Sequence, residues 1–292
     1  MDYITILRIV LVLWTAVFAI FLIKDCITHK EDFNGKKVVP LAIIGFITNF
    51  LDTWGIGSFA TTQAGFKFTK SSPDETMPGT LNVGDTIPVV AEALLFFGFV
   101  ELDAITLISM LGAAILGAVL GAGIVCKWPV KLVRIGLGSA LIILAIVLAC
   151  RNANVGPFGL MGTATGLTGI KLVIGVVVNF FLGALMTIGV GLYAPCMALV
   201  NALGMSPASA FPIMMGSCAF LMPSAGIKFI KEGKYDRKAA LCLTFFGTIG
   251  VIAAYLLMKY AFDLKTLTWI IIAVMLYTAI AFFRDAAKVA TK

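Results

Sequence analysis

Ile44-Gly45-Phe46-Ile47-Thr48-Asn49-Phe50, followed by Thr53-Trp54-Gly55-Ile56-Gly57, is a polar, glycine-rich interruption in an apolar stretch running from residue 38 to about residue 63. A second stretch, from residue 171 to about residue 199, has the same pattern: Ile174-Gly175-Val176-Val177-Val178-Asn179-Phe180, then Thr187-Ile188-Gly189-Val190-Gly191. As one straight helix, either stretch would be about 40 Å long, against a hydrocarbon core of about 30 Å. We therefore predict that each consists of two half-helices that meet at the glycines.

Composition indicates a membrane protein. Of the 292 residues, 60% are hydrophobic and 13% are charged, which is more apolar surface than a soluble domain of this size could bury. The net charge of +7 does not indicate nucleic-acid binding, because the Lys and Arg residues lie in short loops between apolar runs. The six cysteines lie singly, without the spacing of a zinc site or a disulfide framework, so we predict neither a metal nor a cofactor.

Plain apolar runs of about 20 residues account for most of the remaining chain. The first covers residues 4–23, and its length and the lack of a cleavage site favour a retained helix over a signal peptide. The others cover about 81–100, 104–126, 130–150, 206–227, 239–258 and 266–283. The predicted fold class is an all-α polytopic membrane protein.

The basic residues discriminate between two topologies of the broken segments, because Lys and Arg in short loops accumulate on the cytoplasmic side. If both segments are re-entrant hairpins and the N-terminus is outside, 17 of the 22 basic residues lie inside, and the outside set is Arg8, Arg151, Lys171, Lys259 and Lys265. If both segments are full spans, the distribution falls to 14 against 8. The charges favour re-entrant hairpins in a multi-pass protein of the cell membrane, with the C-terminus in the cytoplasm.

The similarity between the two segments continues after them. Pairs of like residues recur at nearly constant offsets: 130 residues for Asn49 and Asn179, 134 for Gly57 and Gly191, and 133 for Asp103 and Asp236 and for Gly117 and Gly250. This indicates two homologous repeats, 38–150 and 171–292, joined by a linker at 151–170 and preceded by an extra helix and loop at 1–37. Because each repeat has one hairpin and three spanning helices, the second is predicted to be inverted relative to the first.

Several motifs resemble one known family. They are the glycine-rich opening of each repeat, the stretch Pro78-Gly79-Thr80-Leu81-Asn82-Val83-Gly84-Asp85-Thr86-Ile87-Pro88, and Gly191-Leu192-Tyr193-Ala194-Pro195 with Met205-Ser206-Pro207. From about residue 38 onward the chain resembles the TauE/SafE permeases, often called sulfite exporters. It departs from them at the first glycine run, which is only Gly55-Ile56-Gly57, with Thr61 near the place where that family has a proline.

The resemblance implies transport of a small anion such as sulfite, an organosulfonate or a related sulfur-containing acid. The residues are compatible with this, because half-helix N-termini carry free N–H groups and partial positive charge, and glycines allow an anion to approach the backbone. The candidate substrate-binding residues are Asn49, Thr53, Gly55, Gly57, Ser58, Thr61, Asn179, Thr187, Gly189, Gly191, Tyr193 and Pro195. For the two asparagines, capping of backbone groups freed at each break is an equal alternative.

Three acidic residues are candidates for coupling transport to a proton or cation, because a carboxylate at membrane depth is costly. Asp52 lies near the first break, and its alternative role is an N-cap on a half-helix that begins at Thr53. Asp85 and Glu92 lie seven residues apart and share one helix face. The alternative for Asp85 is a solvated position near the cytoplasmic end.

The predicted function is a secondary transporter of a small anion that works by alternating access. One alternative is a proton- or cation-coupled carrier of a cation or neutral solute that uses Asp52 and Glu92, and another is a non-transporting membrane subunit. An enzyme is not predicted, because the chain has no HExxH or GxSxG motif and a single histidine, His29. The expected partners are the small anion and the lipid bilayer, without nucleic acid, and self-association into a homo-oligomer is left open.

Overall fold

The computed structural model describes residues 2–34, 38–97, 101–159, 162–257 and 264–289. In these ranges the chain is helical, with short 3-10 turns and no β-strand. The helices are α1 (Tyr3–Thr28), α2 (Val38–Thr53), α3 (Ser58–Thr69), α4 (Met77–Gly84), α5 (Thr86–Phe96), α6 (Ala104–Val125), α7 (Val130–Asn152), α8 (Gly169–Met186), α9 (Tyr193–Ala202), α10 (Ala210–Lys231), α11 (Arg237–Leu257) and α12 (Leu264–Val289).

Among the described residues, six helices are long and apolar enough to cross a membrane: α1, α6, α7, α8, α10 and α11. Large apolar side chains on their outer faces are exposed, including Leu13 on α1, Leu116 on α6 and Ile146 on α7. In a water-soluble bundle these faces would be polar. The chain is therefore an all-helical, multi-pass membrane protein, as its composition predicts.

Both broken segments fold back on themselves. In the first, Thr62 Oγ1 on α3 donates a hydrogen bond to Thr48 Oγ1 on α2 (2.9 Å), and Gly65 packs against the Ile44 side chain. In the second, Lys171 Nζ at the start of α8 donates to the Leu203 carbonyl just after α9 (3.1 Å). Such contacts require the half-helices to lie side by side. We refer to α2–α3 as the first hairpin and α8–α9 as the second hairpin.

Glycines make the two breaks possible. Gly55 and Gly57 have φ values of +79° and +99° at the tip of the first hairpin, and Gly189 has a φ of +113° at the tip of the second. Side chains with a Cβ rarely adopt this left-handed region. The helices therefore end where the sequence pattern predicts.

Two helix pairs pack through equivalent glycines. A Cβ at Gly117 of α6 would overlap the carbonyl of Phe180 on α8, and a Cβ at Gly250 of α11 would overlap that of Phe46 on α2. Small residues let membrane helices approach to backbone contact. Each hairpin is thus held by a long helix that follows the other hairpin in the chain.

The bundle has one end rich in ion pairs, here called the basic end. The contacts there are Lys67–Asp74 (2.7 Å), Arg134–Asp74 (2.8 Å), Lys67–Asp285 (2.9 Å) and Arg237–Asp25 (2.7 Å). Ser72 Oγ, after α3, donates to Asp236 Oδ2 (3.2 Å), which joins the two groups of pairs. Lys36, Lys37, Lys259 and Lys292, which entered the charge comparison, lie outside the described residues.

The opposite end is joined by backbone contacts between loops. The Asp103 N–H donates to the Thr165 carbonyl (3.0 Å), and the Ser206 N–H donates to the Ala164 carbonyl (2.9 Å). Helix α6 runs from this end to the basic end, whereas α11 starts at the basic end and runs back.

Helix α1 packs against α10. Trp14 Nε1 donates to Ser224 Oγ (3.2 Å), and Phe18 is fully buried against Gly226. At the basic end, the Tyr235 hydroxyl donates to Asp25 Oδ2 (2.6 Å). The extra helix is therefore an integral part of the bundle.

Candidate functional site

The tips of the two hairpins line one small cavity. Asp52, Gly57 and Ser58 contribute from the first hairpin, and Gly191 and Tyr193 from the second. The remaining walls are mostly apolar and come from α5, α7, α8 and α10, with Val89, Leu144, Leu148, Met186 and Cys218. The volume is about 30 Å³, which is room for about one or two water molecules. In this conformation the cavity is too small for anything larger.

Glu92 joins the two hairpins. This residue of α5 is fully buried, and its Oε1 shares a hydrogen bond with Thr53 Oγ1 at the end of α2 (2.8 Å). Its Oε2 accepts a hydrogen bond from the Tyr193 hydroxyl at the start of α9 (2.6 Å). One carboxyl group thus contacts both tips beside the cavity.

A second contact between the hairpins involves Gln63 of α3. Its Nε2 donates to the Gly189 carbonyl at the tip of the second hairpin (2.8 Å). The side chain is fully buried, and its Oε1 has no partner among the described residues. The second tip therefore lies against the side of α3.

Asp52 caps the N-terminus of α3. Its Oδ1 accepts a hydrogen bond from the Ser58 N–H (2.8 Å), and its Oδ2 accepts one from the Ser58 hydroxyl (2.9 Å). The capping alternative considered from sequence was right in kind but wrong in place, because the helix begins at Ser58 rather than at Thr53. The turn at Gly55 and Gly57 reverses the chain direction, so Asp52 before the turn can cap the helix that begins after it.

The N-terminus of α9 has no such carboxylate. Its N-cap residue, Leu192, has no side chain that can accept a hydrogen bond, and the N–H groups of Tyr193 and Ala194 form none with a side chain in the described part of the chain. The N–H groups of Tyr193 and Ala194 have no partner within the helix, because no carbonyl of the helix lies before its first turn. Both residues line the cavity. Pro195 in the same turn has no N–H. The positive end of this helix therefore faces the cavity.

Asp85 and Asn49 form a buried polar pair that does not line the cavity. Asn49 Nδ2 on α2 donates to Asp85 Oδ1 (3.0 Å) and to the Gly45 carbonyl (3.0 Å). Both residues are fully buried, so the alternative of a solvated Asp85 was wrong. Asp85 lies at the junction of α4 and α5, and its bond to Asn49 connects this junction to α2 of the first hairpin. Asn49 Oδ1 and Asp85 Oδ2 have no partner among the described residues.

Asn179 occupies the matching position on α8. Its Nδ2 donates to the Met110 carbonyl of α6 (2.8 Å) and to Ser217 Oγ of α10 (3.0 Å). Neither asparagine lines the cavity, and each binds neighbouring helices instead of the break itself. Direct substrate contact by either residue stays a prediction.

Other predicted residues lie at the tips and bond to the backbone. Thr61 Oγ1 donates to a carbonyl at the start of α3, that of Ser58 at 2.9 Å being the nearer, and Thr187 Oγ1 donates to the Ala184 carbonyl (2.7 Å). Gly55 and Gly189 form the turns. These residues shape the tips, whereas Gly57, Ser58, Gly191, Tyr193 and Asp52 line the cavity.

Two contacting residues were missed as site candidates. Arg151, at the end of α7, donates to the Gly55 carbonyl, and Gln63 binds the second tip as described above. In the sequence, Arg151 stands out as a charge at the end of an apolar run and Gln63 as a polar residue inside one. Their partners are distant in sequence, so the pattern alone does not pair them.

In the described ranges, no group of His, Cys, Asp or Glu is arranged to hold a metal ion. Comparison of the chain with family models, with curated proteins and with solved structures found no match. The resemblance to the TauE/SafE permeases therefore stays a prediction.

Proposed function

We propose that the chain is a secondary transporter of a small anion, of the class of sulfite and organosulfonates, and that the anion binds in the cavity between the hairpin tips. The observation that carries the proposal is the uncapped N-terminus of α9. Tyr193 and Ala194, the first two residues of this helix, line a cavity to which both breaks contribute. Backbone N–H groups at a helix N-terminus can bind an oxyanion without a buried lysine.

Alternating access requires two similar halves that move against each other. Two observations support two inverted repeats. Gly117 of α6 packs against α8 as Gly250 of α11 packs against α2, and α6 and α11 run in opposite directions. Asp103 and Asp236 also cap these two helices in the same way, with bonds from the N–H groups of Thr106 (2.8 Å) and Ala239 (3.2 Å). On this proposal the hairpins are re-entrant from opposite sides, and the basic end is cytoplasmic.

The substrate class follows from the cavity walls together with the sequence resemblance. Apolar and sulfur-containing side chains form most of the wall, including Met186 and Cys218 with their sulfur atoms 3.6 Å apart. The donors of Ser58 at the first tip are engaged by Asp52, whereas the N–H groups of Tyr193 and Ala194 at the second tip have no partner within their helix. A sulfonate or sulfite, with its oxygens at α9 and its remaining face against the apolar wall, matches this division.

Transport also requires the cavity to open, because its present volume cannot hold a sulfonate. The contacts that must break or lengthen include those of Glu92 with Thr53 and Tyr193, and that of Gln63 with Gly189. The glycine turns provide local hinges at both tips. A substrate that competes for the Tyr193 hydroxyl would release one of these contacts.

The test is flux into proteoliposomes containing the purified protein, with sulfite, methanesulfonate and an uncharged solute of similar size as cargo. We expect uptake of the anions and none of the uncharged solute. Ala194→Leu should abolish uptake, because it fills the cavity, whereas Ala198→Leu, one turn further along α9, should retain it. Folded protein with no flux for any anion contradicts the proposal.

A carrier of a cation or a neutral solute is the second candidate, and the buried carboxyl groups of Asp52, Asp85 and Glu92 are the observation that favours it. Asp52, however, is already engaged at the N-terminus of α3. Uptake of cations in the same proteoliposomes, with loss of that uptake in Asp52→Asn, would favour this candidate over the anion carrier.

A further inference from the structure

Thr53 has one hydroxyl hydrogen and two neighbours that compete for it. Its Oγ1 lies 3.0 Å from the Asn49 carbonyl oxygen and 2.8 Å from Glu92 Oε1. A carbonyl oxygen only accepts hydrogen bonds, and an ionised carboxylate also only accepts. With Glu92 ionised, one of these two short contacts would have no hydrogen in it.

A proton on Glu92 Oε1 removes the conflict. Glu92 then donates to Thr53 Oγ1, and Thr53 donates onward to the Asn49 carbonyl, so each contact contains one hydrogen. The other carboxyl oxygen still accepts the Tyr193 hydroxyl (2.6 Å). The full exclusion of Glu92 from solvent agrees with a neutral group, because an unpaired buried charge is costly.

Among the described residues, no cationic side chain forms a hydrogen bond or ion pair with Glu92. Arg151 of α7, the cation at the first tip, donates to the Gly55 carbonyl instead. Helix α2 presents Asp52 and Thr53 toward Glu92, α9 presents Tyr193, and Asp85 lies two turns away at the start of its own helix. Cys218 of α10 faces Tyr193. Arg8 of α1 binds the carbonyl of Phe97 beyond the far end of α5, and α11 carries its basic residues, Arg237 and Lys238, only at the basic end.

We propose that Glu92 is the proton-carrying residue of the transporter and that its proton and the anion occupy the site together. This rests on the proposed function. The link is Tyr193, whose hydroxyl bonds to Glu92 and whose backbone N–H belongs to the first turn of α9, where the anion would be held. An anion next to an ionised Glu92 would be repelled, and one next to a protonated Glu92 would not be.

Linkage then sets the sign of the coupling. Because the proton favours anion binding, the anion must favour the proton by the same factor. Anion affinity therefore falls as pH rises through the titration of Glu92, and the proton and anion cross the membrane in the same direction. When the cavity opens to one side, Glu92 Oε1 releases its proton to water on that side and the anion leaves with it.

The first experiment tests the proton without using transport. Infrared spectra of the purified protein at neutral pH should contain the C=O stretching band of a protonated carboxyl group, and Glu92→Gln should remove a component of it. Thr53→Val, which deletes the hydrogen-bond acceptor, should shift that component to higher frequency. Asp103→Asn, at an exposed helix cap, is the matched control and should change nothing. A band unaltered in both Glu92→Gln and Thr53→Val overturns the proposal.

The second experiment tests the coupling. Methanesulfonate is the probe, because it stays ionised across the pH range and any pH effect belongs to the protein. Its affinity for the wild-type protein should fall about tenfold with rising pH, and its affinity for Glu92→Gln should be independent of pH. Binding that is independent of pH in the wild type overturns the role of Glu92 and leaves the anion carrier standing. No binding of methanesulfonate or sulfite at any pH contradicts the proposed function itself.

Discussion

The two hairpins resemble each other in sequence and differ in what occupies the N-terminus of their second half-helix. In the first hairpin the Asp52 carboxylate takes the Ser58 N–H and hydroxyl. In the second hairpin no described side chain caps α9, and its N-terminus faces the cavity. The first tip has a carboxyl group of its own at the helix N-terminus, and the second has none. On the proposed function, the two hairpins would share their backbone geometry and only the second would bind the ligand.

The largest expected effect concerns what the hairpins share. Gly117→Val and Gly250→Val should each destabilise the protein severely, by about 3 kcal/mol, because the added side chain meets the backbone of α8 or α2. Thermal unfolding in detergent measures this. Gly112→Ala is the control, since a Cβ there meets open space, and its melting temperature should equal or slightly exceed that of the wild type because alanine favours the helix. Unequal losses for the two valine variants would show that the two contacts are not equivalent.

Removal of the first cap should have the next largest effect. Asp52→Ala leaves the Ser58 N–H buried without a partner and should cost about 2 kcal/mol. Asp52→Asn keeps an oxygen for that N–H and should cost less. Chemical denaturation of the two variants gives the comparison. If alanine and asparagine are equally tolerated, the carboxylate does not hold the first tip.

The second tip predicts a different outcome at Tyr193. Tyr193→Phe keeps the ring in place but loses the hydroxyl that bonds to Glu92, so stability should fall by about 1 kcal/mol. Sulfonate affinity should fall by about tenfold, because the same hydroxyl is a proposed anion donor. Isothermal titration measures the affinity. An unchanged affinity would assign Tyr193 to hairpin contact alone.

The smallest expected effect is at Asp103, which caps α6 as Asp236 caps α11, outside the hairpins. Hydrogen bonds from the N–H and hydroxyl of Thr106 hold the pKa of Asp103 below its ordinary value of 3.8. A lowered folded-state pKa adds stability that is present above the unfolded-state value and is lost as pH falls through the folded one. Asp103→Ala should therefore lower the melting temperature at neutral pH and match the wild type below the lowered pKa.

Local features of the molecule were predictable from sequence, and long-range pairings were not. The breaks at Gly55, Gly57 and Gly189 follow from the backbone freedom of glycine, which acts within a few residues. The contact between Glu92 and Tyr193 joins residues 101 positions apart, and that between Gln63 and Gly189 joins residues 126 apart. Nothing in a local pattern encodes such pairs, because they arise only when the helices pack.

The burial of Asp85 was also not predictable from the sequence. Its position near the end of an apolar run gave a solvated alternative, yet α4 and α5 place it fully inside the bundle against Asn49. Burial depends on which helices cover a residue, and helix neighbours were not known before the fold. The repeat offsets were the exception, since they related Gly117 to Gly250 and Asp103 to Asp236 before any contact was seen.

The most direct test of the account is the position of a bound anion. Selenite, a heavier analogue of sulfite, can be located by its anomalous scattering in crystals of the protein. We predict a selenium peak in the cavity between the tips, within hydrogen-bonding reach of the Tyr193 and Ala194 N–H groups. A selenium peak at the Asp52 cap of α3, or bound selenite only outside the cavity, would contradict the difference between the hairpins on which the account rests.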